Sequence, residues 1–263
     1  MSITEDAPAA ASAARRPHVR LPGPARTASP WWLLVAASAL VLIGVALVMG
    51  VWWAASSETR IVPPYRVVGT LSAVELDLGA APVEITGGAG GAVEVGRVER
   101  YAFGRRPRET RSVQDGVLRI ASRCRDPILG RCDVAYRVGV PDNVLVNVRT
   151  SSGRVHISGL NGSARVTTGS GAIAIEGFCG FTLVATSTSG NVGGAAECSP
   201  DRIELRSGSG DVHAIVPVAR YRVDAHSDRG PAPRVRNITV SDDAAFTVQA
   251  LSGSGVVTVD GGR

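Results

Sequence analysis

Histidine, cysteine and arginine are the residue types in this 263-residue chain that could do chemistry, and their spacing says which kinds. His156 and His213 are a candidate zinc pair, because imidazole nitrogen is a common metal ligand. His226, Ser227 and Asp228 carry the three groups of a nucleophilic triad. Gly87, Gly88, Gly90 and Gly91 form the kind of cluster that cradles phosphate, but such a loop needs its lysine. The chain has none, since all 28 of its basic residues are arginine. Arg149, Arg154 and Arg165 could meet an anion, guanidinium being suited to bidentate contact with phosphate or carboxylate. Cys124, Cys132, Cys179 and Cys198 contain no Cys-x-x-C pair, which favours disulfides over a zinc site.

What positions these groups is a phrase that recurs six times between Val144 and Asp260. It reads apolar, any, apolar, any, Ser or Thr, any, Ser, Gly, any, apolar, with Arg229 replacing the serine in one copy. Its glycines are Gly153, Gly171, Gly190, Gly210, Gly230 and Gly255, spaced by 18, 19, 20, 20 and 25 residues. Counting from each glycine, position −7 is Val146, Ala164, Leu183, Ile203, Val223 and Val248. Position −5 is Val148, Val166, Ala185, Leu205, Ala225 and Ala250, and position +2 is Val155, Ile173, Val192, Val212, Ala232 and Val257. These columns have the two-residue period of a strand and face a core. Position −3 is Thr150, Thr168, Ser187, Ser207, Ser227 and Ser252, always a hydroxyl. Its parity is inward, where stacked hydroxyls could satisfy one another as a ladder. The apolar parity flips at Ser-Gly, so each glycine marks a corner.

Repeats of this length that bury one face against a neighbour predict an all-β solenoid, β-helix-like, of about 18–20-residue turns. The alternative is an antiparallel meander or sandwich with Ser-Gly as hairpin turns. Cys179 and Cys198 each lie eight residues after a repeat glycine. Stacked turns would place them about 4.8 Å apart, a bridgeable distance, whereas a meander of two strands per copy would separate them by roughly 9–10 Å. A Cys179–Cys198 bond is therefore expected, with Cys124–Cys132 as a local staple. Ala81, after Val74, Leu76 and Leu78, fits a degenerate earlier copy, as does Gly116 with Leu118 and Ile120.

The same register weakens the catalytic readings. His156 and His213 both sit at +3 but three turns apart, roughly 14 Å, too far to share one zinc. His226, Ser227 and Asp228 are consecutive, so strand alternation keeps their side chains from converging. Outward positions +1, +3 and −4 show no paired carboxylates of the kind glycoside cleavage needs. No enzyme, metal or cofactor is expected. The alternative is a carbohydrate-active enzyme, since β-helices often host such activity. Asn161-Gly-Ser and Asn237-Ile-Thr match glycosylation acceptors, a pattern too short to carry weight.

Trp31 to Ala55 is 25 residues without a charge, flanked by Trp31–Trp32 and Trp52–Trp53. From Trp32 to Trp52 a helix rises roughly 30 Å, the thickness of a bilayer core. Arg15, Arg16, Arg20 and Arg26 precede it, so the positive-inside rule places the N-terminus in the cytoplasm and the rest outside. A cleaved signal peptide ending near Ala54–Ser56 is the other reading, though the apolar run is long and starts late for one. The expected organisation is a disordered cytoplasmic tail over 1–30, a transmembrane helix over 31–55 and a Pro63–Pro64 linker over 56–66. An extracytoplasmic β-repeat domain over 67–263 completes it. The Arg97–Arg111 stretch reads as an exposed loop or edge. Net charge is only +5, without a basic stripe, which argues against nucleic acid.

The phrases SSGRVHISGL, TGSGAIAIEG, STSGNVGG and SGSGDVHAIV, after RVGVPDNVLVNVRT, resemble the bacterial adhesin-like β-strand-repeat domains of unknown function. The resemblance spans roughly Val67 to Asp260 and implies an exported or membrane-anchored domain with surface or envelope-stress roles. It supplies no catalytic residues. The expected function is an adhesin-like surface scaffold or envelope-associated binding module, held by the bilayer. Its partner would be a cell-envelope glycopolymer or another envelope protein. An envelope-stress sensor acting through a partner is a further alternative, because the tail before Trp31 is short for an output domain.

Overall fold

The computed structural model describes residues 31–55, 58–101, 106–124 and 132–262. The expected disordered tail, Ser56, Ser57 and the loop enclosed by Cys124 and Cys132 lie outside these. The chain divides into two compact units, Met1–Met49 and Gly50–Arg263. Helix α1 (Trp31–Ala55) has no acidic residue in its first turn and no basic residue in its last. Its apolar residues are solvent-exposed all round, and it is long and apolar enough to cross a membrane.

The rest is β. The early strands are β1 (Glu58–Val68), β2 (Ala73–Asp77), β3 (Val83–Gly87), β4 (Ala92–Tyr101), β5 (Arg108–Gln114), β6 (Val117–Arg123) and β7 (Cys132–Val140). The repeats supply β8 (Leu145–Thr150), β9 (Val155–Ser158), β10 (Ala164–Thr168), β11 (Ile173–Phe178), β12 (Thr182–Ser187), β13 (Val192–Ala196), β14 (Arg202–Ser207) and β15 (Val212–Val216). The last are β16 (Arg220–Ser227), β17 (Arg234–Arg236), β18 (Thr239–Val240), β19 (Phe246–Ser252) and β20 (Val257–Gly261). They form two ten-stranded sheets. Sheet one runs β1-β4-β7-β3-β9-β11-β13-β15-β20-β17, and sheet two β18-β16-β19-β14-β12-β10-β8-β2-β6-β5.

Each repeat contributes its strand before the Ser-Gly corner to sheet two and the strand after it to sheet one. Repeat pairs with repeat in parallel and in register: Val146, Ala164, Leu183 and Ile203 are aligned neighbours, as are Val155, Ile173, Val192 and Val212. These side chains are at most 2 % exposed and fill one core between the sheets. The pairing between repeats is parallel, as in β-helix-like repeat folds, and not that of an antiparallel meander. Antiparallel pairing is confined to one end, where β1, β4 and β5 extend the sheets.

Two expectations are corrected here. The stretch expected as a linker carries β1, an edge strand, with Pro63 and Pro64 in a register shift between Val62 and Tyr65. An edge with a bulge is where a strand tolerates proline, whose nitrogen cannot donate to a ladder. Gly116 is not a repeat corner. Leu118 and Ile120 pair with Val74 and Leu76, so they hold the −7 and −5 columns themselves. Asp115 and Gly116, both at positive φ (52° and 73°), make the two-residue turn of the β5–β6 hairpin.

The layer order also departs from the sequence order at both ends. Strands β6 and β7 lie outside β2 and β3, and the Gly255 copy (β19, β20) is inserted between the Gly210 and Gly230 copies. Burial explains the second inversion. Val248, Ala250, Val257 and Val259 are fully buried, needing a neighbour on each side. The Gly230 copy is the polar one, with Val235 39 % exposed and Arg234 and Arg236 on β17, so it closes the stack. Its strand β17 pairs Arg234 with Thr258, one residue out of the expected register. Gly88 (φ 77°) and Gly90 (φ 72°) form the turn from β3 to β4, the structural role expected of that cluster.

Candidate functional site

The repeat corners come first because they fix every outward side chain. The position −3 hydroxyls do not form a ladder, except for Thr150 Oγ1 donating to Thr168 Oγ1 at 3.0 Å. Each serine instead accepts from its own corner glycine and donates to the corner carbonyl of the neighbouring layer. Gly190 N–H donates to Ser187 Oγ (2.8 Å), which donates to Gly171 O (3.2 Å). Gly210 N–H and Ser207 repeat this onto Gly190 O, and Gly255 N–H and Ser252 onto Gly210 O. Two backbone groups that the corner takes out of the sheet are thereby satisfied by one hydroxyl. Ser227 does the same between Gly230 N–H and Gly255 O, which removes it from any triad. His226 Nε2 lies 3.1 Å from Asp228 Oδ1 on the exposed side.

His156 and His213 share one outward row of sheet one with Ala174 and Gly193 between them, three strand steps apart. Among the described residues no group of three His, Cys, Asp or Glu side chains is placed to hold a metal. The disulfides are Cys179–Cys198, with Cα atoms 4.8 Å apart on adjacent layers, and Cys124–Cys132, at 5.8 Å.

The three arginines are not one cluster. Arg149 and Arg165 sit on adjacent strands β8 and β10 on the outward face of sheet two, Arg165 aligned with Asn147 and Arg149 with Thr167. Arg154 precedes β9 on the other sheet, beside Glu84, Arg137 and His156. Charge pairing distinguishes the first two from their neighbours. On one side Glu75 and Asp77 face Arg119 (2.9 Å) and Arg123 (3.9 Å). On the other Glu204 holds Arg202 (2.7 Å) and Arg206 (2.6 Å). Burial opposes ionisation of Glu204, but these two guanidiniums hold its carboxyl below the usual range. Arg149 is in register with Asp77, but neither it nor Arg165 forms an ion pair among the described residues, Asp77 being turned to Arg123. Between them and Glu75, Asn147 Oδ1 is buried without a hydrogen bond. The centre of this face thus holds two arginines outside any ion pair, with Thr167 beside Arg149.

A second group was not legible in the sequence. Glu109 on β5 accepts from Tyr65 on β1 (3.2 Å) and Tyr136 on β7 (2.9 Å) and pairs with Arg97 on β4. Arg97 Nε also lies 3.0 Å from Glu99 Oε1, an ion-pair distance without hydrogen-bond alignment. Burial, then Glu109, pushes the Tyr65 phenol up to about 12, and burial raises Tyr136 as well. Arg97 is held charged by Glu109 and Glu99 against the pull of burial. Arg108–Arg111 lie on β5, an exposed edge as expected, whereas Arg97 is part of a half-buried network that ties the antiparallel strands of the two sheets together.

Residues 143–232 match the family described as Toastrack DUF4097, a stretch that holds five of the six repeat glycines. The match stops short of β19 and β20, although these strands lie inside the stack it defines. Similar solved structures include a protein assigned to cell adhesion from Clostridium sporogenes (13 % identity, 78 % of this chain and 97 % of that one, TM-score 0.41). Another is an adhesin-like protein from Bacteroides fragilis (17 % identity, 78 % and 97 % covered, TM-score 0.39). No curated protein matches the chain.

Proposed function

We propose that this is a single-pass membrane protein, N-terminus cytoplasmic, displaying an extracytoplasmic β-solenoid as a surface scaffold. The observation that carries the reading is an uncharged apolar helix followed directly by a β domain with two disulfides. Disulfides persist outside the reducing cytoplasm, and a helix this long and apolar serves as an anchor. Eight stacked layers make a rigid support, and among the described residues the outward carboxylates are singly placed or paired with arginine, which favours a scaffold over an enzyme.

The binding face is the Arg149–Arg165 centre of sheet two, and its ligand class is an anionic envelope glycopolymer. Replacing both residues in the full chain (Arg149→Gln with Arg165→Gln) should lower cosedimentation with cell wall by several-fold, while Arg154→Gln leaves it unchanged. Salt should weaken the wild type in parallel, since exposed charge pairs are screened within about 10 Å at 0.1 M. Cosedimentation that ignores the double substitution would remove glycopolymer binding from this face.

A further inference from the structure

At the antiparallel end a cavity of about 650 Å³ opens beside β1, well inside the range of about 300–1,000 Å³ usual for small-molecule sites. Its apolar wall crosses three strands in one row: Ile61 of β1 is aligned with Val98 of β4, and Val98 with Ala135 of β7. Pro64 and Pro82 continue this wall. Ile61 is 77 % exposed, a large aliphatic side chain on an edge strand with none of the described residues over it. Hydrophobic residues left bare around a cavity, rather than scattered singly, mark a place where something apolar sits.

The polar lining points to the other half of the ligand. Arg137 is engaged with Glu84 at 3.1 Å, and Arg97 with Glu109 and Glu99. Arg100 lies in register with Asp133 but forms no ion pair with it, and it has no acidic partner among the described residues. An apolar wall with a free guanidinium at its side suits a molecule with a hydrocarbon body and an anionic head. The source is set by the chain itself. Only six residue steps lead from Ala55, the last of α1, to Ile61. At no more than about 3.6 Å per residue, the wall is tethered within roughly 22 Å of the helix end.

We propose that this cavity takes an acyl chain of an anionic phospholipid from the bilayer in which α1 is anchored, with Arg100 at the phosphate. The inference rests on the membrane anchoring proposed above. Both are tested together on the full chain in liposomes of phosphatidylglycerol carrying a diazirine on one acyl chain. After illumination, adducts should map to α1 and also to peptides containing Ile61 and Ala135. Ala135→Trp, at an exposed position where the bulk enters the cavity and not the core, should cut the β1 and β7 adducts several-fold and leave those on α1 intact. Arg100→Glu should abolish the preference for phosphatidylglycerol over phosphatidylcholine at those peptides. Labelling confined to α1, or β1 and β7 adducts indifferent to both substitutions, overturns the lipid site while leaving the anchor standing. Absence of label on α1 overturns the anchor, and the lipid site with it.

Discussion

Gly190→Ala is expected to destabilise the β domain by at least about 3 kcal/mol, enough to lower its thermal midpoint sharply or prevent folding. A Cβ at this position would lie 2.6 Å from the Gly171 carbonyl carbon and closer still to its oxygen. Both atoms belong to the backbone of the next layer, so no side chain can rotate away. The layers would have to separate at a corner where Ser187 joins them through hydrogen bonds of 2.8 and 3.2 Å. The same approach recurs at Gly153, Gly171, Gly210, Gly230 and Gly255, which is why all six repeat corners hold glycine, while Ala81 takes the position in the layer beneath Gly153. Gly193→Ala is the control. Its added Cβ would meet nothing nearer than Ile173 O at 3.8 Å. On an outward strand position it should be neutral or stabilise by up to about 1 kcal/mol through the unfolded chain. Circular-dichroism melts of the two full-length variants in detergent separate the effects. Similar midpoints would mean that the corners are not close-packed.

Replacing Cys179 and Cys198 together by alanine is expected to lower stability by about 3 kcal/mol, the loop-closure value for a bridge of this span. The bond links positions 19 residues apart on adjacent layers whose Cα atoms are already 4.8 Å apart. It constrains the unfolded chain and asks little of the folded one. Because Glu197 N–H donates to Phe178 O across the same two layers (2.9 Å), the layer contact persists without the bridge, and the fold should survive with a lower denaturant midpoint. The Cys124–Cys132 bond closes only eight residues and should contribute slightly less, about 2.5 kcal/mol. Equal midpoints with and without reductant would contradict both values.

The columns made much of this architecture readable in advance. Apolar residues at −7, −5 and +2 gave the inward face, and cysteine at +8 on two neighbouring copies gave the stacking register. Ala81 also lies where that register puts it, beneath Gly153, with Val74 and Leu76 aligned to Val146 and Val148. Other features depend on contacts between distant segments, which periodicity does not carry. The hydroxyls were legible as inward and in need of partners, but not that the partners would be glycine backbone in the adjacent layer. The inversion of the last two copies follows from which copy is polar enough to be terminal, a comparison that repeat matching does not make. Tyr65 and Glu109 are 44 residues apart and belong to different sheets, so their network has no local signature.

Site residues follow the same division. Arg149 and Arg165 were visible as outward positions of successive copies. Arg154 shares their parity class, but the Ser-Gly corner turns it onto the other sheet. What singles out the first two is that Glu75, Asp77 and Glu204 are each turned toward other arginines, and that pairing is a property of the folded face.

The most direct test of the whole reading is protease treatment of intact spheroplasts that express the chain with an epitope at each end. The C-terminal epitope should be lost from outside while the N-terminal epitope stays protected, and the protein should sediment with membranes at its uncleaved mass. A C-terminal epitope protected until the membrane is lysed, or a soluble product beginning after residue 55, would contradict it.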